Sequence, residues 1–69
     1  MNRKQLFAEL ETTKRHIKSG HVTIGDGAEI MLYYANQYRN EMDYSDDESY
    51  VDLQKLYHRI FLDLAALTR

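Results

Sequence analysis

The chain has 69 residues, with no cysteine, no proline, 43% hydrophobic and 29% charged side chains, and a formal net charge of -2. Without cysteine there is no disulfide framework, thiolate zinc site or thiol nucleophile, and this balance of apolar and charged residues is that of a folding chain, not a linker or a low-complexity segment. A core this small leaves only a few kcal/mol of net stability, so a second copy of the chain is expected to complete it.

No stretch approaches the roughly 20 apolar residues that cross a bilayer, and the N-terminus lacks the apolar run of a signal peptide, so the expectation is a cytoplasmic protein with no membrane partner. Charge is unevenly distributed. Arg3, Lys4, Lys14, Arg15 and Lys18 outnumber Glu9 and Glu11 in the first 21 residues. The next 28 residues carry Arg39 alone against Asp26, Glu29, Glu41, Asp43, Asp46, Asp47 and Glu48. The remainder is close to neutral.

The first helix is expected to start after Asn2, with Gln5 completing a capping box, and to end at Gly20, the residue best able to take the left-handed conformation. Lys18 lies in its last turn, where the helix dipole favours a cation. Leu6, Leu10, Thr13 and Ile17 recur at helical spacing, and Phe7 widens that stripe.

Val22 and Ile24 alternate with polar residues over too short a run for a sheet and are expected to lie extended over the end of the core. Asp26 then caps a second helix, with Glu29 as its box partner. Ala28, Met31, Leu32, Ala35, Tyr38 and Met42 share one face and are assigned to the core. Ile30 and Tyr34 flank this stripe, while Tyr33 projects from the polar side.

Ser45 and Glu48 form a third capping box, and the acids of that first turn favour the positive end of the helix dipole. Tyr50, Leu53, Tyr57, Ile60, Leu64 and Leu67 step by three and four, broadened by Leu56 and Phe61. Val51, Leu62 and Ala65 lie on the other side, so this helix is apolar on two sides and about 34 Å long.

The expected fold is all-α. A single helical domain covers residues 1–69, with helices at about 3–19, 27–42 and 46–68, arranged either as a small three-helix bundle or as a helical hairpin plus a long third helix, and completed by self-association. Loops of about six residues favour an up-down-up course.

Motifs of catalysis and metal binding are weak, and no enzyme, cofactor or metal is expected. His16, His21 and His58 stand too far apart along the chain to form a local ligand pair. Asp43, Ser45 and Asp47 imitate the start of a calcium loop, but Glu48 replaces the turn glycine and Gln54 the closing acid. Gly25-Asp26-Gly27 lacks the lysine of a phosphate loop and the strand that would precede it. The acidic turn faces solvent, with no pocket to desolvate a general acid.

Protein contact fits the composition best. Six tyrosines exceed what so small a core needs, and tyrosine gives large contact area at low entropic cost. The expected function is therefore that of a non-enzymatic regulator or inhibitor that binds a partner protein with a basic surface. Tyr33, Tyr34, Tyr44, Asp43, Asp46, Asp47 and Glu48 form the binding surface, and Val51, Leu62 and Ala65 form a homodimer contact. The alternative is a nucleic-acid accessory factor that uses Arg3, Lys4, Lys14, Arg15 and Lys18 along the first helix against phosphates.

Overall fold

The computed structural model describes residues 2–42 and 47–68, and among these it contains three helices and no strand: α1 (Arg3–Lys18), α2 (Ile24–Glu41) and α3 (Asp47–Leu67). The ends of α1 follow from local chemistry. The Asn2 side chain accepts from the Gln5 amide at 2.8 Å, and the Gln5 side chain accepts from the Asn2 amide at 3.1 Å, satisfying two of the donors that a helix start leaves open. At the other end Gly20 has φ 81, its amide bonds the Ile17 carbonyl, and the His21 amide reaches the His16 carbonyl at 2.9 Å. This 6→1 and 5→2 pair of bonds is the Schellman arrangement, and it requires a residue tolerant of positive φ.

The second helix begins earlier than the sequence reading placed it. Thr23, not Asp26, is the cap: its hydroxyl accepts from the Asp26 amide at 3.1 Å, and its carbonyl accepts from the Gly27 amide at 2.8 Å. Ile24 is thus the first helical residue instead of an extended one, and Asp26 sits inside the first turn, where its charge suits the helix dipole. Ser45, the expected cap of α3, lies outside the described residues.

Leu6 and Leu10 of α1, Met31 and Ala35 of α2, and Leu53, Leu56 and Ile60 of α3 form one buried cluster. Phe7, Ile17, Tyr34, Tyr38, Met42, Tyr57 and Leu64 pack around it, half-buried. Thr13 is buried beside these apolar residues, and its hydroxyl is satisfied by donating to the Glu9 carbonyl at 2.9 Å. Three residues assigned to the core stripes are instead exposed: Leu32, Tyr50 at 54% and Phe61 at 68%. On α3 the buried stripe runs through Leu53, Leu56 and Ile60, so Tyr50 and Phe61 fall beyond its edge.

Each helix contacts both others. Arg3 lies 3.9 Å from Asp52, and Lys14 lies 3.2 Å from Asp63. Both pairs have the same offset in sequence, so α1 and α3 lie side by side in the same direction. Between α2 and α3, the Tyr57 hydroxyl donates to the Asn36 side-chain oxygen.

Candidate functional site

The outer side of α2 carries the most distinctive surface. Val22, Asp26, Glu29, Ile30, Tyr33 and Tyr34 line a shallow groove there. Its shape has a local cause. At Gly27 a Cβ would lie 2.5 Å from Ile17 Cγ1, so glycine lets the first turn of α2 settle directly on α1. Beside it Asp26 and Glu29 are exposed, while Ile24 and Ala28 are half-buried.

Tyr34 is the fixed part of this surface. Its ring is half-buried against the core, and the charge of the Glu9 carboxylate, to which its hydroxyl is bonded, raises its pKa above the ordinary tyrosine value; burial adds to the shift. Tyr33 meets Tyr34 edge-on, with ring centroids 5.6 Å apart at 73°, and remains 59% exposed. This edge-to-face geometry is the favoured one for two aromatic quadrupoles. Asp26 and Glu29 are exposed beside these rings and have no ion pair within the described residues. The face therefore offers an aromatic ring, an aliphatic side chain and two uncompensated carboxylates.

The sequence reading had named Tyr33 and Tyr34 but joined them to the later acids. Asp43, Tyr44 and Asp46 lie outside the described residues, as does the side chain of Asp47, while Glu48 is exposed in the first turn of α3. Tyr33 stands nine residues before Met42, about 13 Å back along the helix axis at 1.5 Å per residue. The acids that share its groove are Asp26 and Glu29. Sequence reasoning had used those two as a capping pair and in the charge of the middle segment, although their spacing of seven and four from Tyr33, which puts all three on one side of a helix, was available as a signal.

The outer side of α3 bears a second shallow groove, lined by Val51, Gln54, Lys55, His58, Arg59 and Leu62. Val51 and Leu62, read as self-association residues, are both exposed, and Ala65 is half-buried.

The five bases of α1 do not form one free array. Lys14 lies 2.5 Å from Glu11 and 3.2 Å from Asp63, with Arg59 in turn 3.4 Å from Asp63. Burial alone would lower its pKa, but the hydrogen bonds and charges of these two carboxylates outweigh that and hold it above the ordinary lysine value. Arg3 leans over the Phe7 ring at 5.3 Å and toward Asp52. Arg15 reaches the Thr12 hydroxyl, and Lys4 and Lys18 are exposed.

His16 and His21, read as too far apart along the chain to form a local ligand pair, flank the turn at Gly20. Their ring centroids are 5.9 Å apart, and the Ser19 hydroxyl lies 2.6 Å from His21 Nδ1. Among the described residues no group of three or more His, Cys, Asp or Glu side chains is placed to hold a metal ion. No helix among them is long and apolar enough to cross a membrane.

No protein-family model, curated protein or solved structure matches this chain.

Proposed function

We propose that this chain is a non-enzymatic protein-interaction module, a small regulator or inhibitor that grips a basic surface of another protein through the acid and tyrosine face of α2. The observation that carries this reading is Tyr33, more than half exposed on a rigid helix and backed edge-on by Tyr34, with Asp26 and Glu29 uncompensated alongside. An aromatic anchor held in place by its neighbour loses little freedom on binding, and carboxylates at the rim steer and select a cationic partner. Four further acids, Asp43, Asp46, Asp47 and Glu48, follow α2 in the sequence and add to the negative charge that a cationic partner would meet.

The test is affinity capture and crosslinking from cell extract with three matched baits: wild type, Tyr33→Ala, and a variant with Asp46, Asp47 and Glu48 all changed to Ser. Circular dichroism verifies that each bait is folded. A partner recovered by wild type and lost with Tyr33→Ala supports the α2 face, and the acidic variant measures what the later acids add. Undiminished recovery with Tyr33→Ala removes the tyrosine face from the reading.

A further inference from the structure

The grooves on α2 and α3 match each other in pattern and oppose each other in charge. Along α2, Asp26, Glu29 and Tyr33 follow one another at steps of three and four, and Val22, in the turn before the helix, lines the same groove beyond Asp26. Along α3, Val51, Lys55, His58 and Leu62 follow at steps of four, three and four, with a base and an imidazole between two apolar residues, and Arg59 adjoins them. Each groove thus sets a pair of polar residues three apart between apolar or aromatic side chains, acidic on α2 and basic on α3.

From this match we infer that a second copy of the chain docks head to tail, the α3 groove of one molecule seated on the α2 groove of the next. The inference rests on the reading of the α2 face as a contact surface and names an occupant for it. Because Asp26 and Glu29 stand three residues apart, as Lys55 and His58 do, either relative direction of the helices sets Lys55 and His58 against the two carboxylates. The same spacing disfavours the symmetric pairings. Antiparallel α3 on α3 sets Lys55 against His58 of the other copy with Arg59 close by, and α2 on α2 sets acid against acid. Asp26, Glu29 and Lys55 have no ion pair within the described part of their own chain, so their charges are available to a neighbour, while Arg59 is shared with Asp63. Opposite charges flanked by apolar side chains on both sides are better shielded from solvent than an isolated surface pair.

A heterologous contact of this kind closes into a ring or grows as an open chain, and it covers the face that would hold a basic partner. Self-assembly and partner capture are then mutually exclusive, and a partner with a basic, apolar helix displaces the second copy. The α3 groove acts as an internal mimic of that partner.

The experiment is sedimentation equilibrium or light scattering over a concentration series at low and high salt. Wild type is expected at about twice the 8.2 kDa monomer mass or more at high concentration and low salt, falling toward 8.2 kDa as salt shortens the screening length from about 10 Å to about 3 Å. Lys55→Glu and Glu29→Lys should each remain at the monomer mass. An equimolar mixture of the two should associate, and so should the double variant, since reversing both signs restores the match. A wild type that is monomeric at every concentration overturns the inference, as does association that survives either single reversal, which would mark a symmetric contact. The partner reading is judged separately: Lys55→Glu should abolish self-association yet keep partner capture, whereas Glu29→Lys should lose both. Monomeric wild type with capture still lost in Glu29→Lys leaves the proposed function standing without this device.

Discussion

The contacts of α1 with its two neighbours are built by different means. Against α2 it packs by close approach: Gly27 admits the first turn of α2 onto Ile17, and the connecting turn from Ser19 to Thr23 is secured by backbone and cap hydrogen bonds. Against α3 it combines apolar packing with charge, through Arg3 with Asp52 and Lys14 with Asp63 at the margin of a seam formed by Leu6, Leu10, Leu53 and Ile60. Close approach fixes geometry to a fraction of an ångström and tolerates no added atom. A seam margined by ion pairs tolerates adjustment but depends on protonation and salt. The α2 face is accordingly held by the stiffer of the two contacts, as suits a surface that presents a preformed aromatic anchor.

The largest effect should come from removing apolar contact on the α3 side. Ile60→Ala or Leu53→Ala deletes buried side-chain volume from the cluster where the three helices meet, and each should cost about 2 to 5 kcal/mol, a large share of the stability of a domain this small. Denaturant melts read by circular dichroism measure this. Unchanged midpoints would mean that the ion pairs and the Tyr57–Asn36 hydrogen bond, not the apolar seam, hold α3 in place, and the comparison would have to be reversed.

A smaller effect, with an informative sign, is expected at the glycines of α2. On helix propensity alone alanine should stabilise either position by about 0.5 to 1 kcal/mol. At Gly25 nothing lies within 4 Å of the added methyl group, so Gly25→Ala should follow propensity. At Gly27 the methyl group would press into Ile17, and overpacking of about 1 to 3 kcal/mol should outweigh the gain, making Gly27→Ala destabilising. Two shifts of the same sign in thermal unfolding would show that the corner yields and that the close approach carries no special weight.

Legibility from sequence follows the same division. Features decided within one turn of chain were readable: the Asn2 and Gln5 capping box, the left-handed Gly20, and the all-helical class. The start of α2 was misplaced because Thr23 and Asp26 offer the same cap spacing as Asp26 and Glu29, and Val22 and Ile24 were read as an extended pair. What settles the choice is Gly27 meeting Ile17 from the preceding helix, a tertiary contact with no local signature. Phe61 and Tyr50 were placed in the seam because a stripe read at fixed steps widens on paper without limit, whereas two neighbouring helices cover only part of the circumference of α3. At the candidate site the tyrosines were legible by their excess. Their acidic company was not, because charge counted over a segment does not say which carboxylates share a face with Tyr33.

The smallest effect tests the polar half of the comparison through pH. Lys14 has a raised pKa in the folded chain because Glu11 and Asp63 favour its charged form over the opposing effect of burial. Its contribution is therefore fully present below the lysine value of the unfolded chain, about 10.4, and is lost as pH rises through the higher folded value. Tyr34 acts with the same sign: Glu9 disfavours the phenolate, so the unfolded chain ionises first, from about pH 10, and stability drops there too. The melting midpoint should accordingly be level with respect to these two groups through neutral pH and fall above about pH 10. Lys14→Met should lower stability by about 1 kcal/mol at neutral pH, since Asp63 is left with Arg59 alone, and should make the alkaline decline shallower. Tyr34→Phe should also make it shallower, while leaving the salt dependence of the α1–α3 seam as it is. An alkaline decline equally steep in Lys14→Met would show that Asp63 and Glu11 do not couple to Lys14 in solution, and the seam between α1 and α3 would then be apolar packing alone.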